Sequence, residues 1–367
     1  MSKRENYVDI GKGLAIIAIV CVHISQSFMP GAVFGFWPIA FFFVVAGFYL
    51  GEDKLLKPVS FVKHRLKTLY LPGTVIYLLA VLLHNPFCKW GFYPLGEVHP
   101  STQQPFALWD CKTYLLNILK TVVAPNGELA MGAMWFLYAL FFSLCFISIF
   151  AYCTNLICKR RPAYANWFYA FVFVISSVAL VLAHYGIKVP RISNALVIMP
   201  FILCGYLLKQ KVKVEFNNWA LFFLFLVIYV QCMILPHSSL SFTRPEFPNI
   251  ALPLIMGVSI VYVVLFISRH LEKTRFLSGM LSYIGRDSLY IMALHVCGFF
   301  LCTKVIDLLG LNAHLAMAPT LNTYSVGGNI GLFLLYLFFG ISFPLLCIYL
   351  YRVASRKIVN AVKTKGY

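Results

Sequence analysis

Charged residues are scarce in this sequence, and acidic residues are the scarcest. Only 11% of the 367 residues are charged and only 12 are Asp or Glu, whereas a soluble domain carries about 25% charged residues. So few charges cannot cover the surface of a soluble protein of this length or keep an unfolded chain solvated. The shortage excludes a soluble protein, a disordered chain and a disulfide-stapled secreted miniprotein.

Metal-ligand patterns and a signal-peptide cleavage site are also lacking. The 11 cysteines form no CxxC pair and no Cys/His cluster with zinc spacing, so we predict no metal site. Cys88 and Cys111 fall together in a polar stretch, where an oxidising compartment would permit a disulfide. The first apolar run carries Lys12 and His23 and has no small-x-small cleavage site, which predicts a retained span.

Apolar residues are abundant, at 61% of the chain, and they recur along its whole length. Many runs reach the roughly 17–25 residues that a helix needs to cross a bilayer. The sequence therefore predicts an all-α polytopic membrane protein with about ten transmembrane helices in a single transmembrane domain over residues 1–367. The predicted spans are residues 11–29, 33–50, 69–84, 131–156, 166–186, 192–208, 218–235, 250–267, 284–303 and 328–351.

The net charge of +18 is explained by the orientation of these spans. With both termini in the cytoplasm, 21 of the 30 Lys and Arg residues lie in cytoplasmic segments and 7 lie outside, while Lys12 and Arg286 sit at span ends. Such a bias is typical of cytoplasmic loops. No basic run is interleaved with aromatics as a base-stacking surface would be, so we predict no nucleic-acid partner.

Two segments outside the spans stand out. Residues 85–130 form the longest extracytoplasmic loop region, and the apolar run at 114–124 within it is too short to span, which favours a position along the outer interface. Residues 352–367 are predicted to be a basic cytoplasmic tail.

The first span carries polar residues that a membrane helix normally avoids. Asp9 and Lys12 are three residues apart and therefore share a helix face. His23 follows Lys12 by 11 residues, about three turns or about 16 Å along the same face. Lys12, at the cytoplasmic end of the span, is placed to attract an anionic donor from the cytoplasm. The deeper imidazole of His23 is placed to meet a hydroxyl acceptor from the outer side. The plainer interpretation is that Asp9 and Lys12 anchor the helix and that His23 bonds inside the bundle.

The Lys12-x10-His23 pattern, preceded by Asp9, resembles the first-span motif of the acyltransferase-3 membrane proteins. That motif is normally Arg-x10-His, and the DIGKG version here is similar to the fucose 4-O-acetylase-like branch. Lysine cannot make the planar two-pronged phosphate contact of arginine, which is this chain's main departure from the pattern. Four further stretches follow in the family's order: FFFVVAGF at 41–48, FVKHRLK at 61–67 with Pro72, WFL at 135–137, and LSYIGRDSLY at 281–290 with His295.

The resemblance covers essentially the whole chain and implies an O-acetyltransferase. Members usually move an acetyl group from cytoplasmic acetyl-CoA, which is a substrate and no bound cofactor, to a hydroxyl of a cell-envelope or exported polysaccharide. By position, the catalytic residues would be His23 as general base, with Lys12 and Asp9. The residues implied for donor binding are Arg65, Lys63 and Lys67, although each lysine is also explained as a topology charge.

Four further residues are candidates for lining the acceptor path or supporting the site. They are Gln26, Trp135, Arg286 and His295. Packing explains Trp135 equally well, Arg286 and its neighbour Asp287 are placed to pair locally, and a buried structural role is the plainer interpretation of His295.

Two other classes of function stay open. Some family members are assigned to polysaccharide export, which makes an export or transport component without its own acyl transfer the alternative. Transporters often show paired broken helices in two repeats, and no convincing pair is seen. An idle scaffold is disfavoured by the Lys12/His23 spacing. The expected partners are acetyl-CoA, a glycan or lipid-linked sugar, the lipid bilayer and the polysaccharide-synthesis machinery, at a bacterial inner membrane.

Overall fold

The protein is almost entirely helical, and no β-strand occurs in the described residues. The computed structural model describes residues 5–24, 36–93, 95–96, 105–123, 128–158, 164–189, 191–234, 242, 249–310 and 329–364. The predicted all-α class is therefore confirmed. The helices follow the apolar runs of the sequence because a helix satisfies its own backbone hydrogen bonds, which lipid cannot do.

Among the described residues, eight helices are long and apolar enough to cross a membrane. They are Asn6–Ile24, Pro58–Leu82, Ala130–Ile157, Asn166–His184, Ile192–Lys211, Ala251–Leu271, Ser288–Leu308 and Ile330–Lys357. Shorter apolar helices, Phe36–Phe48 and Trp219–Ile234, occupy the places of the second and seventh predicted spans. The count of ten spans and the cytoplasmic position of both termini stay predictions.

We number the α-helices in chain order. They are α1 (Asn6–Ile24), α2 (Phe36–Phe48), α3 (Glu52–Leu55), α4 (Pro58–Arg65), α5 (Leu71–Leu82), α6 (His84–Lys89), α7 (Cys111–Val123), α8 (Trp135–Ile157), α9 (Tyr164–His184), α10 (Ile192–Tyr206), α11 (Trp219–Ile234), α12 (Ala251–Leu271), α13 (Arg275–Arg286), α14 (Ser288–Leu308) and α15 (Ile330–Thr364).

The basic segment between the second and third predicted spans is mostly helical, in α3 and from the start of α4 onward. Helix α4 begins at Pro58, where a first-turn proline lacks only an N–H that would have no helical partner. A π-helical turn, Leu66–Tyr70, then continues into α5. Pro72 follows this turn and cannot donate a backbone hydrogen bond, so the widened turn accommodates it within one continuous helix. The third span therefore starts 11 residues before the predicted 69.

The ninth predicted span, 284–303, also differs from the structure. The chain forms two helices there, α13 and α14, which meet at Asp287. Helix α13 is strongly amphipathic, with Leu281 and Ile284 buried and Phe276 79% exposed. At the end of the chain, α15 runs unbroken through the predicted tail boundary at 352 and ends at Thr364.

Helix α1 lies inside the bundle. Its apolar window is 72% buried, against 17% for α15, and it packs against α2, α12, α13, α14 and α15. Glycine allows the closest of these approaches: a methyl group at Gly13 would overlap the carbonyl oxygen of Leu281, and one at Gly285 would overlap that of Asp9. The two helices α1 and α13 are therefore in backbone contact at the start of α1.

Candidate functional site

An ion pair lies near the start of α1. Asp9 is buried, and its Oδ1 is 3.6 Å from Nζ of Lys12. The Lys12 side chain keeps 23% of its surface exposed, and its Nζ stands 5.4 Å from the centroid of the Tyr49 ring. The pair presents a partly accessible cation beside a buried carboxylate, on the helix face that the spacing of three predicts.

About three turns further along α1, His23 contacts a second histidine. The ring of His295, from α14, is fully buried and its centroid is 5.0 Å from that of His23, with 35° between the ring planes. Nδ1 of His295 lies 3.0 Å from the carbonyl oxygen of Ile291 and 2.9 Å from that of Met292. In the described part of the chain, His23 Nδ1 and His295 Nε2 are buried without a hydrogen-bond partner. The sequence did not indicate that these two rings meet.

The junction between α13 and α14 carries a second buried carboxylate. Asp287 is 2% exposed, and its two oxygens accept hydrogen bonds of 2.8 and 2.5 Å from the guanidinium group of Arg352 in α15. The candidate Arg286 is exposed and donates from Nε to the Ser282 carbonyl oxygen at 3.1 Å. Arg286 therefore bonds only to its own helix in these contacts. The guanidinium group of Arg352, with one nitrogen on each Asp287 oxygen, neutralises the Asp287 carboxylate.

The residues predicted to bind the donor lie on another part of the bundle. Arg65 is partly buried, with its guanidinium 5.0 Å from the Phe61 ring and its Nε without a hydrogen-bond partner among the described residues. Lys63 and Lys67 are exposed. Helix α4 packs against α8, whereas α1 packs against α2 and α12–α15. None of the described polar or ring contacts joins Arg65 to the two histidines.

An open groove runs beside the start of α4. Its volume is about 590 Å³, and it is lined by Leu56, Lys57, Pro58, Val59, Ser60, Lys63 and Tyr152. The two ammonium groups and the serine hydroxyl give it hydrogen-bond donors suited to an anion, which keeps Lys63 a candidate for donor binding.

Trp135 and Gln26, the other two residues predicted to line the acceptor path or support the site, add little to its description. Trp135 begins α8, is partly buried against the core and lies 6.3 Å, centroid to centroid, from Phe136. These contacts match the packing interpretation of Trp135. Gln26 lies outside the described residues.

A buried polar network in the region 85–130 and its borders was missed from the sequence. His84 Nδ1 is 3.0 Å from Glu128 Oε1, and His84 Nε2 is 3.1 Å from the carbonyl oxygen of Ala107. Tyr93 donates to Glu128 Oε2 at 2.7 Å, and the Glu128 backbone N–H donates to the Tyr77 hydroxyl at 3.0 Å. A signal was available, since Glu128 is the only acidic residue between Asp110 and Glu215.

Ring stacking and burial complete this network. The His84 and Trp109 rings stack at 3.6 Å with 9° between their planes. Burial and the Glu128 carboxylate raise the pKa of the Tyr93 phenol well above its ordinary value. Cys88 is buried, with a thiol pKa raised to about 11 by burial, and Cys111 is exposed. The disulfide that the sequence would permit is absent, since both cysteines are free.

The chemistry available at each place follows from these contacts. No group of three or more His, Cys, Asp or Glu side chains in the described ranges is arranged to hold a metal ion. The network around His84 and Glu128 has its hydrogen bonds satisfied, which fits a structural cross-link. The His23–His295 pair has a nitrogen without a hydrogen-bond partner on each ring, and an imidazole can both donate and accept a proton. Of the polar clusters described here, it is therefore the one suited to acid–base chemistry.

Comparison with known proteins shows the family of the chain. Residues 5–352 match the acyltransferase-3 family, described as an acyltransferase domain. Neither a curated protein nor a solved structure matches the chain. The family match covers nearly all of the sequence, including α1 with His23 and α14 with His295. The chain belongs to the acyltransferase-3 family of membrane acyltransferases.

Proposed function

We propose that this protein is an O-acetyltransferase that moves an acetyl group from cytoplasmic acetyl-CoA to a hydroxyl of a cell-envelope or exported polysaccharide. The family match supports acyl transfer in general. The observation that carries the finer proposal is the position of His23, a partly exposed residue with an unpartnered Nδ1, about three turns along α1 from Lys12. The DIGKG sequence around Lys12 favours the fucose 4-O-acetylase-like branch.

The reaction divides the work between His23 and the cations. His23 takes the proton of the acceptor hydroxyl, and the oxygen attacks the thioester carbonyl of acetyl-CoA. The carbon–sulfur bond breaks, and the proton passes from His23 to the leaving thiolate. Lys12, held by Asp9, attracts the phosphates of the donor at the mouth of the site, and Arg65 with Lys63 and Lys67 supplies further positive charge.

The cellular setting follows from the same proposal. The chain resides in a bacterial inner membrane with both termini in the cytoplasm, so that the donor reaches Lys12 from inside. The acceptor, a glycan or a lipid-linked sugar, is presented by the polysaccharide-synthesis machinery from the other side. The positive charge bias of the connecting segments supports this orientation.

The proposal is tested by replacing His23. We expect His23→Ala to lower O-acetylation of the host surface glycan by about 100-fold or more, because a general base typically contributes at least this factor. Mass spectrometry of the glycan measures the loss of the acetyl mass increment. His184→Ala, in an exposed histidine at the end of α9, is the matched control and should acetylate normally.

Two results would count against the proposal. Undiminished O-acetylation by a normally inserted His23→Ala protein would eliminate the catalytic role of His23. Loss of surface glycan in a deletion strain, with the acetyl content of the remaining glycan unchanged, would support the export component instead.

A further inference from the structure

Two nitrogen atoms of the His23–His295 pair lack hydrogen bonds that burial normally demands. His23 Nδ1 and His295 Nε2 are buried and have no partner within the described chain. A polar atom that is buried and unpaired destabilises the folded protein, so a pair of such atoms on neighbouring rings requires an explanation.

The tautomer of His295 is fixed by its backbone contacts. Both partners of its Nδ1 are carbonyl oxygens, at 3.0 Å from Ile291 and 2.9 Å from Met292, and carbonyl oxygens only accept. Nδ1 therefore carries the hydrogen. In the neutral ring, Nε2 then has a lone pair and acts as an acceptor. Its surroundings favour the neutral ring, since Phe299 packs edge-on at 5.5 Å and the ring is fully buried.

His23 supplies the complementary group. Among the described residues, no atom completes a hydrogen bond to His23 Nδ1. The residue as a whole remains partly exposed. A hydrogen on Nδ1 would point a donor into the buried side and leave the Nε2 lone pair for a substrate hydroxyl. That is the tautomer that a general base needs here.

We propose that His295 is the positioning residue of His23: its Nε2 accepts a hydrogen bond from His23 Nδ1–H and holds the His23 ring in the base tautomer. The catalytic part of this inference rests on the proposed function. The ring centroids, 5.0 Å apart, make the two side chains neighbours, and hydrogen bonds of this kind commonly tighten when substrate binds.

A neutral imidazole takes the place that a carboxylate holds in the serine-hydrolase triad. There the buried acid orients the histidine and stabilises the imidazolium ion. In the described part of this chain, no carboxylate hydrogen-bonds or ion-pairs with either ring. When His23 accepts the hydroxyl proton, its Nδ1–H bond to His295 strengthens because the donor has become charged.

Two substitutions at His295 separate positioning from packing. The amide of His295→Asn lies where Nδ1 was, so it keeps a donor to the Ile291 and Met292 carbonyls and loses the acceptor at Nε2. The longer His295→Gln side chain places an amide oxygen near the Nε2 position and restores the acceptor. We expect His295→Asn to lower kcat about 100-fold with little change in KM for acetyl-CoA. His295→Gln should recover to within about tenfold of the unsubstituted protein.

A second measurement does not depend on activity. In ¹⁵N-histidine-labelled protein in lipid, solid-state NMR distinguishes the two neutral tautomers, and subtraction of the His23→Ala spectrum identifies the His23 signals. We expect the Nδ1–H tautomer of His23 in the unsubstituted protein and in His295→Gln. In His295→Asn, the Nε2–H tautomer should gain population because the acceptor for Nδ1–H is gone.

The two readouts keep the proposals apart. A His23 tautomer that is Nε2–H at the start, or that does not change in His295→Asn, overturns the positioning role. So does a kcat for His295→Asn equal to that of the unsubstituted protein, or an equal loss in His295→Asn and His295→Gln. A tautomer that depends on His295 in a protein without acetyl transfer would sustain the pairing and reject the proposed function.

Discussion

The oxygen atoms around a buried histidine ring decide which of its nitrogens form hydrogen bonds, and His84 and His295 differ in this respect. Both ring nitrogens of His84 face oxygen acceptors, Oε1 of Glu128 and the carbonyl oxygen of Ala107. The ring therefore links α6 both to the Glu128 side chain and to the backbone at Ala107. His295 has oxygen acceptors on one nitrogen alone, and this difference suits one ring to a cross-link and the other to acid–base chemistry.

The His84–Glu128 pair gives a prediction for stability. We expect Glu128→Ala to lower the free energy of unfolding by about 1–3 kcal/mol, because it leaves the buried His84 Nδ1 and the Tyr93 hydroxyl without their hydrogen-bond partner. Thermal unfolding in detergent measures the change. The control is Glu215→Ala, which removes an exposed carboxylate. Equal melting temperatures for the two variants would show that the pair contributes no stability.

Among the helices, α1 and α13 are held at backbone contact by glycine. We expect Gly285→Ala to separate them, since the new methyl group would overlap the Asp9 carbonyl oxygen and a backbone atom cannot move aside. Overpacking of this kind costs about 1–3 kcal/mol, occasionally more. Gly279→Ala is a matched control in the same helix, because a methyl group there meets open space. Thermal unfolding and the yield of monodisperse protein are the measurements.

A Gly285→Ala protein as stable as the Gly279→Ala protein would contradict the close contact between α1 and α13. In a helix, alanine is favoured over glycine by about 0.5–1 kcal/mol, so Gly279→Ala should be neutral or stabilising. If Gly285→Ala matched it, the contact between α1 and α13 would have to be looser than the structure shows.

Elements of the fold differ in how far the sequence could define them. Long apolar runs and the helical period gave α1 and the Asp9–Lys12 contact directly, because both are local. Helix α13 was missed because its apolar residues lie on one face and its mean hydropathy is low. The meeting of His23 with His295 depends on how α14 packs beside α1, a long-range contact that no local pattern encodes.

At the scale of the whole molecule, the predicted orientation can be tested with the native cysteines. Cys111 is exposed, whereas burial raises the pKa of Cys88 to about 11, so that at neutral pH its thiol is protonated and poorly nucleophilic. We expect a membrane-impermeant maleimide added to intact spheroplasts to label Cys111 without prior reduction. Cys111→Ser should remove that label, as detected by mass spectrometry.

Other labelling patterns would have distinct meanings. Labelling of Cys111 only after the membrane is opened would show that the orientation is the opposite of the predicted one. Labelling only after reduction would show that Cys88 and Cys111 are joined in the cell, in contrast to the free thiols of the structure. The composition predicted a membrane protein, but side of the membrane and thiol pairing depend on the cell as well as on the chain.

The burial of α1 has a consequence for how the protein is made. This helix is synthesised before the helices that enclose it, and among the described helices four of those five, α12 to α15, begin at residue 251 or later. Asp9, Lys12 and His23 therefore enter the bilayer long before their final neighbours have been synthesised. The polar groups assigned to chemistry are completed only by the last third of the chain, so a protein truncated there would keep its proposed base and lose the histidine beside it.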